Sequence, residues 1–126
     1  MPPKDRKRPY LPLNEREFQW TQKQVGRLTV VEYDFVDDAR MAGIKEFNIE
    51  GFCRIYRGNG DAATRRCYSW RQNGFFETED RPRFSLYTHN DFETIMWVSP
   101  LALQYYDEAN QHMLYLADEY PEQLCM

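Results

Sequence analysis

Arginine and aromatic side chains recur together in the middle of the chain, and residues of these types bind rather than react. Residues 52–57 and 64–71 alternate in character, which predicts two strands in which every second side chain shares a face. The candidate binding residues on these strands are Arg54, Tyr56, Arg66, Tyr68, Trp70 and Arg71. Because guanidinium groups make paired hydrogen bonds to carboxylates, this set predicts the docking of an acidic partner protein.

The same residue types have two other interpretations. Rings stack on bases while guanidinium groups contact phosphates, which is how many proteins bind single-stranded DNA or RNA. The net charge of −4 disfavours this alternative, because nucleic-acid-binding domains are usually basic as a whole. The other interpretation is structural, since arginine beside tyrosine or tryptophan is common in ordinary cross-strand packing.

The C-terminal third of the chain is acidic and predicts a long helix. After Arg83 there is no lysine or arginine, whereas seven residues are aspartate or glutamate. Ser99 and Pro100 predict the start of the helix, because serine caps a first turn and proline suits its first position. Apolar residues then recur three and four positions apart on one predicted face, up to the stop at Pro121. They are Leu101, Tyr105, Ala109, Met113, Leu116 and Tyr120.

The polar side of this predicted helix is a second candidate surface. Its carboxylates are Asp107, Glu108, Asp118 and Glu119, and no lysine or arginine lies four positions from any of them. The sequence therefore predicts that they meet a basic partner or the arginines of the sheet, or that they form a solvated face. Pairing of the arginine surface of one copy with the acidic surface of another would give a homodimer.

Residues 1–12 predict a disordered basic tail. Four prolines prevent a helix there, and four basic residues keep the segment solvated. These basic residues are Lys4, Arg6, Lys7 and Arg8. The cluster is typical of a nuclear-import signal or of an arm that contacts phosphates, and equally of a tail that aids solubility.

Groups that perform catalysis are scarce. The two histidines, His89 and His112, lie in no nucleophile or metal-ligand pattern, and no phosphate-binding loop motif occurs. We therefore expect no catalytic residue, no metal and no cofactor. Three cysteines leave at least one unpaired in a monomer, which favours a reducing intracellular compartment. No apolar run reaches the length of a membrane span.

The first part of the domain predicts two helices around a strand. A good N-cap and a glycine terminator predict a helix over residues 15–25, although the alternation of Phe18 and Trp20 also suits a strand. Residues 27–36 are rich in β-branched and aromatic side chains and predict a strand. A short helix is expected over residues 39–47.

The remainder predicts a β-meander. Strands are expected at residues 52–57, 64–72, 75–78, 84–89 and 92–98. Asn73-Gly74 is a strong signal for a two-residue hairpin, and Asn90-Asp91 is a second. The fold class is then α+β: an antiparallel meander of about five to six strands, with the long C-terminal helix packed on one face and a short N-terminal helix beside it. Residues 13–126 are expected to form this single domain.

Charge segregation and the lack of catalytic motifs together predict a small non-enzymatic interaction protein. An accessory or regulatory role of the kind common in viruses and phages would suit its size. The alternative function is a single-stranded DNA- or RNA-binding protein that uses the arginine–aromatic strands and the basic tail.

Overall fold

A computed structural model describes residues 11–83 and 91–119. Within them the chain is α+β, as predicted. The helices are α1 (Val30–Met41), α2 (Ile49–Tyr56), α3 (Gly60–Gln72) and α4 (Pro100–Glu119). The strands are β1 (Gln19–Trp20), β2 (Gln24–Gly26), β3 (Leu28–Thr29), β4 (Phe76–Arg83) and β5 (Asp91–Val98).

The strands form two small antiparallel sheets, so the predicted meander of five to six strands is wrong. β1, β2 and β3 follow one another in a three-stranded sheet of very short strands. β4 and β5 form a separate long hairpin, with Phe76 opposite Val98 and Arg83 opposite Asp91. Phe47 joins the hairpin through two backbone hydrogen bonds with Met96, of 3.0 and 2.7 Å.

The predicted helix at residues 15–25 and the predicted strand at residues 27–36 are both wrong. A helix begins inside the predicted strand, because Thr29 and Glu32 form a reciprocal cap. The Thr29 hydroxyl accepts from the Glu32 N–H at 3.1 Å, and the Glu32 carboxylate accepts from the Thr29 N–H at 2.8 Å. This cap starts α1 at Val30 despite two β-branched valines, and α1 covers only the start of the helix predicted at residues 39–47.

The strands predicted at residues 52–57 and 64–72 are also wrong, because both segments are helical. Asn73-Gly74 consequently does not join two strands. Gly74 has a φ of +90° and follows the end of α3, where it turns the chain into β4. β5 and α4 lie where the sequence places them.

Aromatic rings fill the core. Phe35 of α1 lies at its centre, with ring centroids 5.5 Å from Phe47, 5.1 Å from Phe52 and 5.5 Å from Trp70. Phe52 and Trp70 are fully buried. Helices α2 and α3 therefore pack against one side of α1 through rings, which fixes the orientation of their outer sides.

A buried ion pair fastens the N-terminal segment to α1. The two terminal guanidinium nitrogens of Arg16 donate to the Glu32 carboxylate, at 2.5 and 3.0 Å, and the Glu32 side chain is fully buried. Arg16 also donates to the carbonyl of Leu11 at 3.2 Å and to that of Arg27 at 3.3 Å. One side chain thus holds three parts of the chain together.

Helix α4 packs on the other side of α1. The Ser99 hydroxyl accepts from the Ala102 N–H at 3.2 Å and caps its start. Tyr106 donates to Asp37 at 2.6 Å, and Tyr33 donates to the side-chain carbonyl of Asn110. Burial and the neighbouring Tyr106 and carboxylates raise the pKa of Tyr33 to about 12, and burial and the bond to Asp37 raise the pKa of Tyr106, so both hydroxyls remain donors at neutral pH.

Several predictions fall outside the described residues. They are the basic tail with Lys4, Arg6, Lys7 and Arg8, the strand at residues 84–89 with His89, and the helix stop at Pro121. Among the described helices, none combines the length and the apolar character that crossing a membrane requires.

Candidate functional site: an arginine face on helix α3

The arginine-rich segment forms two helices, and an asparagine side chain caps the start of each. The Asn48 side chain accepts from the Gly51 N–H at 2.9 Å, and the Asn59 side chain accepts from the Asp61 N–H at 2.9 Å. Between them α2 ends at Tyr56, and the next residue, Arg57, adopts a left-handed conformation with a φ of +62°. The chain therefore reverses within residues 57–59, and α2 and α3 pack side by side.

Helical periodicity decides which side chains of α3 reach solvent. Ala63, Cys67 and Trp70 are fully buried and lie four and three residues apart on the core side. Arg65, Tyr68 and Arg71 lie at three-residue intervals outside this core side, with Arg65 and Tyr68 exposed and Arg71 half-buried, and we call these three residues the α3 face. Tyr68 at its centre is 52% exposed.

Three of the six predicted binding residues form an inward-facing stack instead. The Arg66 guanidinium lies over the rings of Tyr56 and Trp70, at 5.8 and 5.7 Å from their centroids. Burial lowers the pKa of Arg66. These three residues lie where α2 packs against α3, which fits the structural interpretation of arginine beside aromatic side chains.

The α3 face holds its arginines without a carboxylate partner. Arg71 stacks on Tyr68, with its guanidinium carbon 5.0 Å from the ring centroid. Within residues 11–83 and 91–119, no carboxylate lies within ion-pair distance of Arg65 or Arg71. The face therefore offers two guanidinium groups and an exposed ring, the combination that recognises carboxylates or phosphates.

Arg54 lies on α2 and does not belong to the α3 face. Its side chain is 80% exposed, and its nitrogen is 3.9 Å from the Glu50 carboxylate, one helical turn earlier. Such an exposed pair contributes little to stability. Arg65, by contrast, belongs to the α3 face but was missed, because strand alternation separates it from Tyr68 whereas a helical period brings them together.

The acidic residues of α4 divide into one paired and three unpaired side chains. Glu108 forms an ion pair with Arg27, whose guanidinium also lies 5.4 Å from the Tyr105 ring centroid. Asp107, Asp118 and Glu119 are exposed, and no lysine or arginine of the described chain pairs with them. The arginines of α2 and α3 thus do not neutralise these acids within the described residues.

Helix α1 lies between the two charged regions. Phe35 on α1 packs against rings of α2 and α3, whereas Tyr33 and Asp37 contact α4. Residues 49–72 hold five arginines against two carboxylates, and residues 100–119 hold four carboxylates and no lysine or arginine. The charges therefore occupy opposite sides of the packed helices, where they create fields of opposite sign.

His112 belongs to an aromatic cluster. Its ring stacks on Trp20 with centroids 5.1 Å apart, and it meets the edge of Phe18 at 5.1 Å. Among the described residues, no group of three histidine, cysteine, aspartate or glutamate side chains is arranged to hold a metal ion.

The Cys67 thiol is buried beneath the α3 face and predicts a measurable pH dependence. Burial raises its pKa from 9.0 to about 11. Above pH 9 the unfolded chain loses this proton while the folded chain keeps it, so stability falls as the pH rises towards the folded pKa. We expect Cys67 to contribute a loss of about 2 kcal/mol in the free energy of unfolding between about pH 8 and pH 10.5.

Urea unfolding at the two pH values measures this loss. The Cys67→Ala variant is the control, because it lacks the thiol and should show a shallower fall. The residual fall would come from other groups with raised pKa values, such as Tyr33. An equal slope in both proteins would show that the Cys67 thiol titrates as it does in the unfolded chain.

No protein-family model, curated protein or solved structure matches this chain. The functional argument therefore depends on the side chains of this protein alone. Of the predicted binding set, Tyr68 and Arg71 lie on the α3 face together with Arg65, whereas the exposed Arg54 lies on α2.

Proposed function

We propose that the chain is a small non-enzymatic interaction protein whose α3 face docks an acidic surface of a partner protein. The observation that carries the proposal is the pair of arginines, Arg65 and Arg71, that flank an exposed tyrosine and have no ion-pair partner among the described residues. The role in this proposal is accessory or regulatory, because the α3 face suits binding and the sequence contains few side chains suited to catalysis.

Preorganisation favours docking at this face. Arg71 already lies over the Tyr68 ring, so less side-chain freedom is lost when a carboxylate binds. A planar guanidinium donates two parallel hydrogen bonds to a carboxylate, and tyrosine beside arginine is typical of residues that dominate binding energy. The helix itself is fixed by buried Trp70 and Cys67, which gives the face a rigid support.

The acidic residues of α4 provide a second docking surface in this proposal. Asp107, Asp118 and Glu119 would attract a basic region of a partner, or the α3 face of a second copy of the chain. Closed two-fold pairing is the commonest arrangement for such self-complementary surfaces. Sedimentation of the pure protein at low and high salt distinguishes binding to a partner from self-association, because only self-association changes the mass of the pure protein.

Reversing the charge of the α3 face tests the proposal. We expect the double variant Arg65→Glu/Arg71→Glu to weaken partner binding by about 100-fold or more, since two charge-assisted contacts of about 1.5–3 kcal/mol each are lost and replaced by repulsion. Lys23→Glu/Arg83→Glu is the matched control, because it changes the net charge equally at two exposed cations outside α3.

The measurement is quantitative capture of partner proteins by the wild-type chain and both variants, followed by affinity measurement on the captured protein. Loss with the α3 variant and retention with the control supports the proposal. Equal capture by both variants would place the docking surface elsewhere. Binding of a labelled single-stranded oligonucleotide, with an affinity that falls steeply with salt, would favour the nucleic-acid alternative instead.

A further inference from the structure

A groove lies on the side of α1 that faces α4 and the hairpin. Its volume is about 470 Å³, which is within the usual range for sites that bind small organic molecules. The apolar residues that line it are Val36, Ala39, Ile44, Trp97, Val98 and Leu103. None of these residues belongs to the α3 face, so the groove is a separate feature of the molecule.

The end of α1 shapes one wall of the groove. Gly43 adopts a φ of +71°, and its N–H donates to the Arg40 carbonyl at 3.0 Å. The Ile44 N–H then donates to the Ala39 carbonyl at 2.9 Å, which completes a helix-ending motif that requires a left-handed residue at Gly43. These bonds hold Ile44 beside Ala39 at the edge of the groove.

Trp97 forms the facing wall and is held in place from the other strand. Its indole N–H donates to the Glu77 carboxylate at 2.9 Å, and Glu77 lies directly opposite it in the β4–β5 register. Trp97 therefore lines the groove while its only polar group is already bonded to Glu77. Aromatic side chains favour contact with other aromatic rings, so an aromatic ligand suits this wall.

The charged side chains that line the groove without an ion-pair partner among the described residues are positive. Arg40 and Lys45 line it, and within the described chain neither forms an ion pair. Arg40 is oriented by the Tyr106 ring, 5.5 Å from its guanidinium carbon. Glu46 also lines the groove, but Arg81 neutralises it through two hydrogen bonds of 2.8 and 3.0 Å.

We propose that this groove binds a small organic anion with a flat aromatic body and one carboxylate. The aromatic body would lie against Trp97 and the aliphatic side chains, where burial of apolar surface stabilises it. The carboxylate would lie at the rim, beside Arg40 and Lys45, and would remain partly hydrated. The groove combines an apolar floor with a few charged groups at one edge, as ligand sites commonly do.

The probes for the test are 2-naphthoate and 2-naphthamide, which have nearly the same shape and differ in charge. Each is titrated into the isotopically labelled protein while the three indole N–H resonances are followed by NMR. We expect 2-naphthoate to shift the resonance of Trp97 and to leave those of Trp20 and Trp70 in place. We expect 2-naphthamide to bind at the same position about tenfold more weakly.

Two variants separate the charge from the apolar floor. Arg40→Gln/Lys45→Gln should weaken 2-naphthoate about tenfold and change 2-naphthamide less than about twofold, whereas Leu103→Trp should fill the groove and weaken both ligands. Lys23→Gln/Arg83→Gln is the control of equal charge and should leave both affinities unchanged. The remaining resonances of each variant show whether it is folded.

Two outcomes would overturn the proposal. The first is that 2-naphthoate leaves the Trp97 indole resonance unmoved, or moves the Trp20 resonance instead. If an acidic peptide containing an aromatic residue then shifts Trp97, the groove is a docking site for a protein segment. The second outcome is an equal loss of affinity in the Arg40/Lys45 variant and in its control.

Discussion

Replacing Glu32 with glutamine is expected to lower the free energy of unfolding by about 3–5 kcal/mol. The Glu32 side chain is fully buried, and that of its partner Arg16 is 6% exposed, so the variant would remove a carboxylate charge that pairs with a buried guanidinium. Glutamine keeps the volume of the side chain and an oxygen that can still accept from the Thr29 N–H. The effect therefore isolates the charge from the helix cap.

The control is Glu50→Gln, which removes a carboxylate from an exposed pair. Glu50 and Arg54 are 3.9 Å apart, and their side chains are 75% and 80% exposed. Exposed pairs of this kind contribute about 0–1 kcal/mol. Urea unfolding of both variants at neutral pH makes the comparison. Similar losses in the two would show that the Arg16–Glu32 pair does not fasten the N-terminal segment to α1.

Replacing Phe52 with alanine is expected to destabilise the protein by a comparable amount, about 3–5 kcal/mol. Phe52 is fully buried, and its ring centroid lies 5.1 Å from Phe35, 5.3 Å from Tyr56 and 5.8 Å from Trp70. Truncation removes the contact of this ring with Phe35 on α1 and its contacts with Tyr56 on α2 and Trp70 on α3. A cavity remains because neighbouring rings relax only partially.

Tyr68→Ala serves as the control for the ring deletion. Tyr68 is 52% exposed on the outer side of α3, where loss of the ring should change stability by no more than about 0.5 kcal/mol. Chemical denaturation reports both values. A strongly destabilised Tyr68 variant would mean that the α3 face is a structural element and is not free to bind.

The parts of the fold that the sequence predicts are those with unambiguous local signals. Ser99 and Pro100 begin α4, and the alternation at residues 92–98 matches β5. The strands β1 to β3 are only two or three residues long, which is too short to show the alternation of side chains that predicts a strand. The strand interpretation of Trp20 was therefore closer to the structure than the helix.

At α2 and α3 the structure has the helical period of 3.6 residues and not the period of two that the alternation of side chains predicts. Phe52 and Ile55 are three residues apart, and Ala63, Cys67 and Trp70 continue at four and three, which suits a helix as well as alternation suits a strand. The asparagine caps at Asn48 and Asn59 would have decided between them. A similar signal, Thr29 followed by Glu32 three residues later, marks the start of α1.

The residues of the candidate site differ from the predicted set because residues 64–71 are helical and not extended. Helical geometry moves Trp70 into the core and brings Arg65 beside Tyr68, so the composition of the binding surface could not be derived before the helices were known. What the sequence did predict is the separation of charge, because the absence of lysine and arginine after Arg83 does not depend on secondary structure. The α3 face and the unpaired acids of α4 keep that separation.

Site-specific photocrosslinking tests most directly whether the α3 face is the docking surface. The photoreactive residue p-benzoylphenylalanine replaces Tyr68 in one protein and Phe92 in another, because these rings are 52% and 61% exposed and Phe92, on β5, lies outside both proposed docking surfaces. We expect an adduct with an acidic partner protein from position 68, lost when Arg65→Glu and Arg71→Glu are added, and none from position 92. Adducts from position 92 but not from position 68 would contradict the assignment of the α3 face.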